Sequence, residues 1–229
     1  MVIRGTEQVS LGVYKITPDA GPAFFLRTEY LSQITEDRLV PVDGGLGKED
    51  SLFVSPEDLK PGMNGVFSEE DSEDIIQAGR TYSAEKAAME YLSRAEQCRF
   101  SLEQKLLKKN FSKESIDSAL NFIEEKGYLD DLRFAKAWLS TRYIDHAEGR
   151  RKLLAELLSR GIDRTKAKEA LDEHFEEHPE VEQCIRAVKK YLRTHSSPDT
   201  QKLQASLFRS GFSHSQIKNA MQNFSLGLE

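Results

Sequence analysis

Two histidines are the side chains whose spacing most readily suggests metal chemistry. His174 and His178 stand four residues apart, which places both imidazoles on one face of a helix. The glutamates between them do not complete the H-E-x-x-H pattern of zinc hydrolases, Pro179 follows at once, and no third ligand is evident. A solvated helix end explains this pair better than a metal site. We therefore expect no metal and no cofactor.

The cysteines and a pair of aspartates are the next candidates for catalysis. Cys98 and Cys184 are far apart and each lies in a helical pattern, which excludes a disulfide framework and favours small buried side chains over nucleophiles. Asp130 and Asp131 open a helix, where the helix dipole favours negative charge. The patterns of serine hydrolases, phosphate-binding loops and dinucleotide-binding folds are missing from the sequence. We expect no catalytic residues and no enzymatic activity.

The composition is that of a folded, soluble protein. Of the 229 residues, 31% are charged and 38% are hydrophobic. No apolar run approaches the roughly 20 residues that span a bilayer, and the first residues do not form a signal peptide. We expect a cytoplasmic protein with reduced thiols and no association with membranes.

The charge is distributed unevenly along the chain. Residues 1–82 hold 7 basic and 15 acidic side chains, whereas the remainder is close to neutral. Within that remainder, the segment 150–168 has seven basic side chains against two acidic ones. A solvated face and a local contact with a polyanion are both open interpretations of this segment. Its basic residues are Arg150, Arg151, Lys152, Arg160, Arg164, Lys166 and Lys168.

The N-terminal third is predicted to be a small β-rich region at 1–67, followed by an acidic linker at 68–82. Val9, Leu11 and Val13 alternate with polar residues, as in a half-buried strand. Short apolar stretches at 23–26 and 52–54, a glycine turn at 43–45 and a short helix at 55–62 complete this prediction.

An internal repeat organises the rest of the chain. Residues 100–120 align with 151–171 at an offset of 51, and with 202–221 at a further offset of 50. A longer helical pattern precedes each copy, at about 83–97, 131–146 and 180–195. The prediction is three tandem three-helix repeats at 83–129, 130–178 and 179–229. The aligned apolar positions are Leu102/Leu153/Leu203, Leu106/Leu157/Leu207, Phe111/Ile162/Phe212 and Ala119/Ala170/Ala220.

Each repeat contains the same tight corner between two helices. Asn110, Gly161 and Gly211 are residue types that tolerate the left-handed conformation at a helix end. Two residues later, a serine or aspartate supplies an N-cap oxygen, at Ser112, Asp163 and Ser213. Capping boxes are predicted at Ser101–Gln104 and Ser213–Gln216. The expected fold is mainly α: three helix-turn-helix-like repeats in an elongated array, preceded by a small β-rich segment.

The middle repeat carries a recognisable signature. The segment 127–138 reads GYLDDLRFAKAW, and the segment 149–162 reads GRRKLLAELLSRGI. In this order they resemble the RecX family of recombination regulators, and the resemblance covers about 85–225. The acidic segment at 1–80 is long for that family and has no evident counterpart in it.

The resemblance implies a non-enzymatic modulator of the RecA recombinase. Such a protein binds in the groove of the RecA–single-stranded DNA filament and suppresses ATP hydrolysis, strand exchange and coprotease function. It implies a monomer that acts on RecA, and it leaves a direct contact with single-stranded DNA open. Leucines supply the core face of the helix that Arg150 and Arg151 begin, so these two arginines are expected to be dispensable for folding. The residues that the resemblance assigns to partner binding are Asp130, Asp131, Arg133, Arg142, Arg150, Arg151 and Arg160.

A second interpretation rests on the corners alone. Helix-turn-helix units are typical of transcriptional regulators, which bind a preferred duplex site as dimers of matched spacing. The sequence has no obvious dimerisation helix and its net charge is −6, so we take this function as the alternative.

Overall fold

Three short strands form an antiparallel sheet at the N-terminus of the computed structural model, which describes residues 1–39, 65–195 and 199–226. The strands are β1 (Ile3–Ser10), β2 (Val13–Pro18) and β3 (Phe24–Arg27), in the order β1-β2-β3. A short 3-10 turn (Thr28–Tyr30) and helix α1 (Glu36–Leu39) follow. The features predicted at 43–45, 52–54 and 55–62 lie outside the described residues.

One prediction about the sheet is wrong. Val13 is buried, but Val9 and Leu11 are exposed, and Leu11 retains 91% of its accessible surface. The chain reverses at Leu11 and Gly12, and Gly12 has a φ of +69°. The apparent alternation therefore runs across a hairpin turn and does not follow one face of a strand.

Helix α2 (Glu69–Leu92) replaces the predicted acidic linker. Ser68 Oγ accepts the backbone N–H of Asp71 at 3.1 Å, and the carboxylates of the first turn lie where the helix dipole favours them. Ile75 and Ala78 are fully buried in the cluster that joins this helix to the sheet. The acidic residues thus form the beginning of a 24-residue helix that packs against the sheet, and two of them, Asp71 and Asp74, are bonded to residues before it.

A buried ion pair also connects the sheet to α2. Arg27, at the end of β3, donates two hydrogen bonds to the carboxylate of Glu85, at 2.8 and 2.6 Å. The Tyr30 hydroxyl donates a third, at 2.8 Å. The side chains of Arg27 and Glu85 are only 16% and 8% exposed. Burial and the neighbouring Glu85 carboxylate raise the pKa of Tyr30, so its hydroxyl stays a donor.

Three helix triplets follow the predicted repeats. The first comprises α2 with two further helices, and each later repeat comprises three. These helices are α3 (Arg99–Lys108), α4 (Lys113–Glu125), α5 (Asp131–Asp145), α6 (Arg150–Ser159), α7 (Arg164–Glu177), α8 (Glu180–Thr194), α9 (Thr200–Arg209) and α10 (His214–Leu226).

The predicted corners are confirmed. Asn110, Gly161 and Gly211 have φ angles of +64°, +77° and +93°. Ser112 and Asp163 accept backbone N–H groups at the start of α4 and α7.

The two predicted capping boxes have different outcomes. Ser213 and Gln216 form one, because each side chain accepts the backbone N–H of the other residue. The box predicted at Ser101–Gln104 is wrong: α3 begins at Arg99, so Ser101 lies inside the helix.

The aligned apolar residues form the cores, with the exception of Phe111, which is only partly buried. The three pairs of leucines on the middle helices are buried, as are the three alanines of the third helices. Contacts group the chain into two compact units, 1–91 with 103–126 and 92–102 with 127–229. The predicted repeat limits stay a prediction, since this grouping divides the first repeat within α3.

Candidate partner-binding surface

Asp130 and Asp131 are helix caps. Asp130 accepts the backbone N–H groups of Leu132 and Arg133 and so begins α5. Asp131 is buried and accepts the N–H of Arg99 at 2.8 Å, which caps α3. Both carboxylates therefore satisfy backbone donors that a helix leaves unpaired at its start.

Arg133 holds the loop that precedes its own helix. Its guanidinium donates to Glu96 at 2.6 Å and to the carbonyl oxygens of Gly127 and Tyr128 at 3.1 and 2.9 Å. All of these contacts lie within the second unit. The side chain is 43% exposed, yet its donors are directed at the protein.

Arg142 belongs to a charged network around a buried carboxylate. Glu148 is 6% exposed at its side chain and accepts from Arg142 at 2.5 and 3.0 Å and from Lys152 at 2.7 Å. Burial opposes ionisation of Glu148, but the hydrogen bonds from the two cations outweigh it and hold the pKa of this carboxyl below its usual range. Arg142 is thus required to keep a buried charge paired.

Arg150 is a structural residue, which corrects the expectation that it is dispensable for folding. Its guanidinium pairs with Asp172 of α7 and, at 2.9 Å, with Glu180 of α8. It also lies over the ring of Phe175, 4.9 Å from the centroid. The leucines of α6 do supply the core face, but Arg150 joins three helices of the second unit.

Arg160 pairs within its own helix and stacks on an aromatic ring. It donates to Glu156, four residues earlier, at 2.7 Å. Its guanidinium lies 4.6 Å from the centroid of Trp138, which Arg142 also approaches, at 5.2 Å. This contact orients the end of α6 against α5.

Arg151 is the member of the predicted set that faces solvent. It is exposed, and in the part of the chain that the structure describes its recorded partner is the ring of Phe208, 4.9 Å from the guanidinium carbon. Phe208 is itself 40% exposed and stacks on His214 at 5.1 Å. We call Arg151, Phe208 and His214 the cross-repeat stack, because Arg151 belongs to the second repeat and the two rings belong to the third.

Sequence reasoning missed Phe208 and His214. Phe208 directly follows the buried Leu207, and its counterparts in the earlier repeats, Leu107 and Leu158, are also partly exposed, at 40% and 37%. An apolar residue at the same solvent-facing position of every repeat is a signal that the repeat alignment contains. Its contact with Arg151 depends on tertiary packing.

His174 of α7 and His178, the residue that caps its C-terminus, pack around a tyrosine. His178 stacks on Tyr143, with ring centroids 3.9 Å apart, and His174 contacts the same ring edge-on at 5.9 Å. Arg186 lies 4.7 Å from that ring's centroid. Within the described residues, no group of three or more histidines, cysteines and carboxylates is arranged to hold a metal ion.

Acid is expected to destabilise the second unit through His174. Burial, with a smaller contribution from His178, lowers the pKa of His174. The folded protein therefore resists a proton that the unfolded chain accepts below about pH 6.5, and the free energy of unfolding falls as the pH drops below that value. One proton limits the slope to about 1.4 kcal/mol per pH unit. Urea titrations between pH 7.5 and 5 measure it.

The variant His174→Gln isolates this contribution. It is expected to flatten the pH dependence, whereas His195→Gln, at the exposed histidine that directly follows α8, serves as the matched control. An unchanged slope in His174→Gln would show that another group is responsible.

The cysteines are buried free thiols. Burial raises the pKa of Cys98, and it raises the pKa of Cys184 to about 11. Both are therefore protonated at neutral pH, and they pack in the cores of the second unit.

Family models match two of the helical repeats. The segment 84–122 matches the first three-helix domain of RecX, and the segment 130–171 matches the second. None of the helices in the described ranges is long and apolar enough to cross a bilayer.

Sequence relatives extend this similarity. The chain is 38% identical over 144 residues to the regulatory protein RecX of Treponema pallidum, an alignment that covers 63% of this chain and 87% of that protein. It is 30% identical over 207 residues to the regulatory protein RecX of Bacillus licheniformis, covering 86% of this chain and 70% of the relative.

Solved structures share the fold. A crystal structure of regulatory protein RecX aligns with a TM-score of 0.66 at 22% identity. The alignment covers 95% of this chain and 98% of the chain in that crystal structure. RecX from Lactobacillus salivarius has a TM-score of 0.57 at 23% identity, covering 64% of this chain. The expectation that the first 80 residues have no counterpart is wrong, because the 95% alignment includes most of them.

Proposed function

Because this chain belongs to the RecX family of regulatory proteins, we propose that it binds the RecA–single-stranded DNA filament and inhibits RecA. The inhibited activities are ATP hydrolysis, strand exchange and coprotease function, so the protein modulates DNA recombination and repair without catalysing a reaction itself. It acts as a monomer in the cytoplasm, where RecA filaments form.

The observation that carries the proposal is the family match over the first two helical repeats. The second of these matches contains all seven residues that the resemblance assigns to partner binding. Six of them are occupied by contacts within the second unit, through caps, ion pairs or ring stacking. Arg151 is the one whose charge remains directed to solvent, with only an aromatic ring beneath it.

Titration against RecA filaments tests this function. The protein is added to RecA on single-stranded DNA, and both co-sedimentation and the DNA-dependent ATPase rate are followed. We expect binding and a falling ATPase rate at or below a one-to-one ratio to RecA. If the ATPase rate and strand exchange stay unchanged over the full titration, the proposed function is wrong.

Arg151→Ala is expected to weaken filament binding and leave the fold intact. Arg151 lies at the start of α6, where the helix dipole disfavours a positive charge, so the side chain gives that helix little stability. Arginines are enriched among the minority of interface residues whose truncation costs more than about 1 kcal/mol, and we expect a cost of about 1.4 kcal/mol here, or roughly a tenfold loss of affinity. Quantitative co-sedimentation measures this loss, and circular dichroism checks the fold.

Lys189→Ala, at an exposed cation of α8, is the matched control. It removes one positive charge of the same unit from another helix. Equal losses in both variants would point to a general charge effect and would remove Arg151 from the interface.

The salt dependence identifies the group that Arg151 meets. A phosphate contact on single-stranded DNA contributes roughly 0.7 to the log–log salt slope. If Arg151 binds DNA directly, its loss reduces the slope on naked single-stranded DNA by about that amount. If filament affinity falls and the slope on naked DNA is unchanged, Arg151 meets a carboxylate of RecA. A preferred duplex site would instead support the helix-turn-helix regulator.

A further inference from the structure

Two glycines bring the second and third repeats into direct backbone contact. Gly149 precedes α6, and its N–H donates to the carbonyl oxygen of Ser210 at 2.8 Å. A Cβ added to Gly149 would lie 2.5 Å from the carbonyl carbon and oxygen of Gly211. A Cβ on Gly211 would lie 2.5 Å from the backbone nitrogen of Lys152. Neither position has room for a side chain.

The two glycines are required for different reasons. Gly211 has a φ of +93°, so its backbone conformation alone favours glycine. Gly149 has φ −86° and ψ 161°, a conformation that any residue adopts. Only the contact with Gly211 excludes a side chain at 149.

A similar contact occurs at the corner of the second repeat. A Cβ on Gly161 would lie 2.6 Å from the Cβ of Phe100, in the first turn of α3. In both cases the left-handed corner of one repeat meets the beginning of the middle helix of the repeat before it. The recurrence indicates a common way of joining repeats within the second unit.

The cross-repeat stack spans the contact between Gly149 and Gly211. Arg151 follows Gly149 by two residues, whereas Phe208 and His214 flank Gly211 on either side. The position of the exposed arginine relative to the third repeat is therefore determined by how closely the two backbones approach.

We infer that Gly149 and Gly211 form a joint that fixes the angle between the second and third repeats, and that filament binding requires this angle. The inference rests on the proposed function, because a partner that contacts both repeats at once is the reason for holding them at one angle. Gly149 is then a positioning residue: it contacts no partner, and it sets the separation of residues that do.

Gly149→Ala tests the joint without backbone strain. The alanine Cβ must move about 1 Å to reach ordinary van der Waals separation from the Gly211 carbonyl. Spin labels at Lys168→Cys and Lys218→Cys, exposed sites on α7 and α10, report the distance between the repeats. The native thiols are buried and resist labelling. We expect a shifted distance distribution and, since simultaneous engagement of two repeats is lost, about a hundredfold loss of filament affinity.

Two further glycine variants are the controls. Gly5→Ala adds a Cβ that meets only Thr17, at 3.8 Å, and is expected to behave as the wild type. Gly127→Ala imposes strain at φ +74° with nothing within 4 Å of the new atom. It is expected to lower the melting temperature and to keep both the label distance and the filament affinity.

The outcomes separate the joint from the proposed function. If Gly149→Ala keeps the wild-type label distance, the joint does not set the angle; if the distance shifts and affinity is unchanged, the filament does not require it. Equal affinity losses in Gly149→Ala and Gly127→Ala would mean that the loss of filament affinity follows from lower stability and not from a changed angle between the repeats. If the wild-type protein does not bind filaments, the proposed function is wrong. The label distance alone then tests whether the joint fixes the angle between the two repeats.

Hydrogen exchange gives a measurement that needs no variant. In the wild-type protein the Gly149 amide is expected to exchange slowly, because it donates to Ser210 across the joint. Fast exchange at this amide while the α6 core remains protected would overturn the joint, even if Gly149→Ala does not fold.

Discussion

Glu85→Ala is expected to lower the free energy of unfolding by about 3–5 kcal/mol, the cost of breaking a buried ion pair. Glu85 is 8% exposed at its side chain and accepts hydrogen bonds from Arg27 and Tyr30. Its removal leaves the Arg27 guanidinium, which is 16% exposed, without its carboxylate. The hydroxyl of Tyr30 loses its acceptor at the same time. Urea unfolding, monitored by the helical signal in far-ultraviolet circular dichroism, measures the change.

Two variants distinguish the lost charge pair from lost packing. Glu90→Ala, on the same helix, removes a carboxylate that lies 3.9 Å from Lys109 at the surface, and it should cost less than about 1 kcal/mol. Arg27→Met combined with Glu85→Leu replaces the pair by apolar side chains and should recover much of the stability. If the double variant is as unstable as Glu85→Ala, the unpaired guanidinium is not the cause.

The features that were predicted correctly depend on short-range chemistry. A left-handed corner requires Gly or Asn at one position and an N-cap oxygen two residues later, so Gly161 and Asp163 identify it without knowledge of the fold. The buried leucines follow from helical periodicity in the same way. The pair Glu156–Arg160 is likewise separated by one helical turn.

The roles that were missed depend on distant residues. Arg27 meets Glu85 across 58 positions, and Arg150 meets Glu180 across 30. Composition marks such arginines only as positive charge, which is why Arg150 was expected to be dispensable for folding. Such an arginine stabilises the fold only when folding brings a carboxylate from a distant part of the chain into contact with it. No local sequence pattern predicts that contact.

The same distinction explains the candidate surface. Arg151 was assigned to partner binding by the family resemblance, and it is exposed. The neighbours that define its surroundings, Phe208 and His214, come from the next repeat and are brought to it by the contact between Gly149 and Gly211. The alignment of repeats revealed equivalent positions, but it carried no information about which of them touch.

Gly161→Val is expected to destabilise the second unit through two separate effects. Gly161 has a φ of +77°, which a β-branched residue strongly resists, and the new Cβ would lie 2.6 Å from the Cβ of Phe100. Left-handed strain and overpacking each cost about 1–3 kcal/mol. Because the Phe100 Cβ is fixed by the backbone of α3, rotation of the ring cannot relieve the contact. Thermal and urea unfolding measure the sum.

Two substitutions separate strain from contact at this corner. Gly127→Val meets the same left-handed strain, at φ +74°, with nothing within 4 Å of its Cβ, so it should cost only the strain. Gly161→Asn keeps the contact with Phe100 but uses a residue type that the first repeat accommodates at Asn110 with φ +64°. We therefore expect Gly161→Val to be the most destabilising of the three. Equal losses of unfolding free energy for Gly161→Val and Gly127→Val would mean that Phe100 moves away from the new side chain without cost. The corner of the second repeat would then need glycine for its backbone conformation alone.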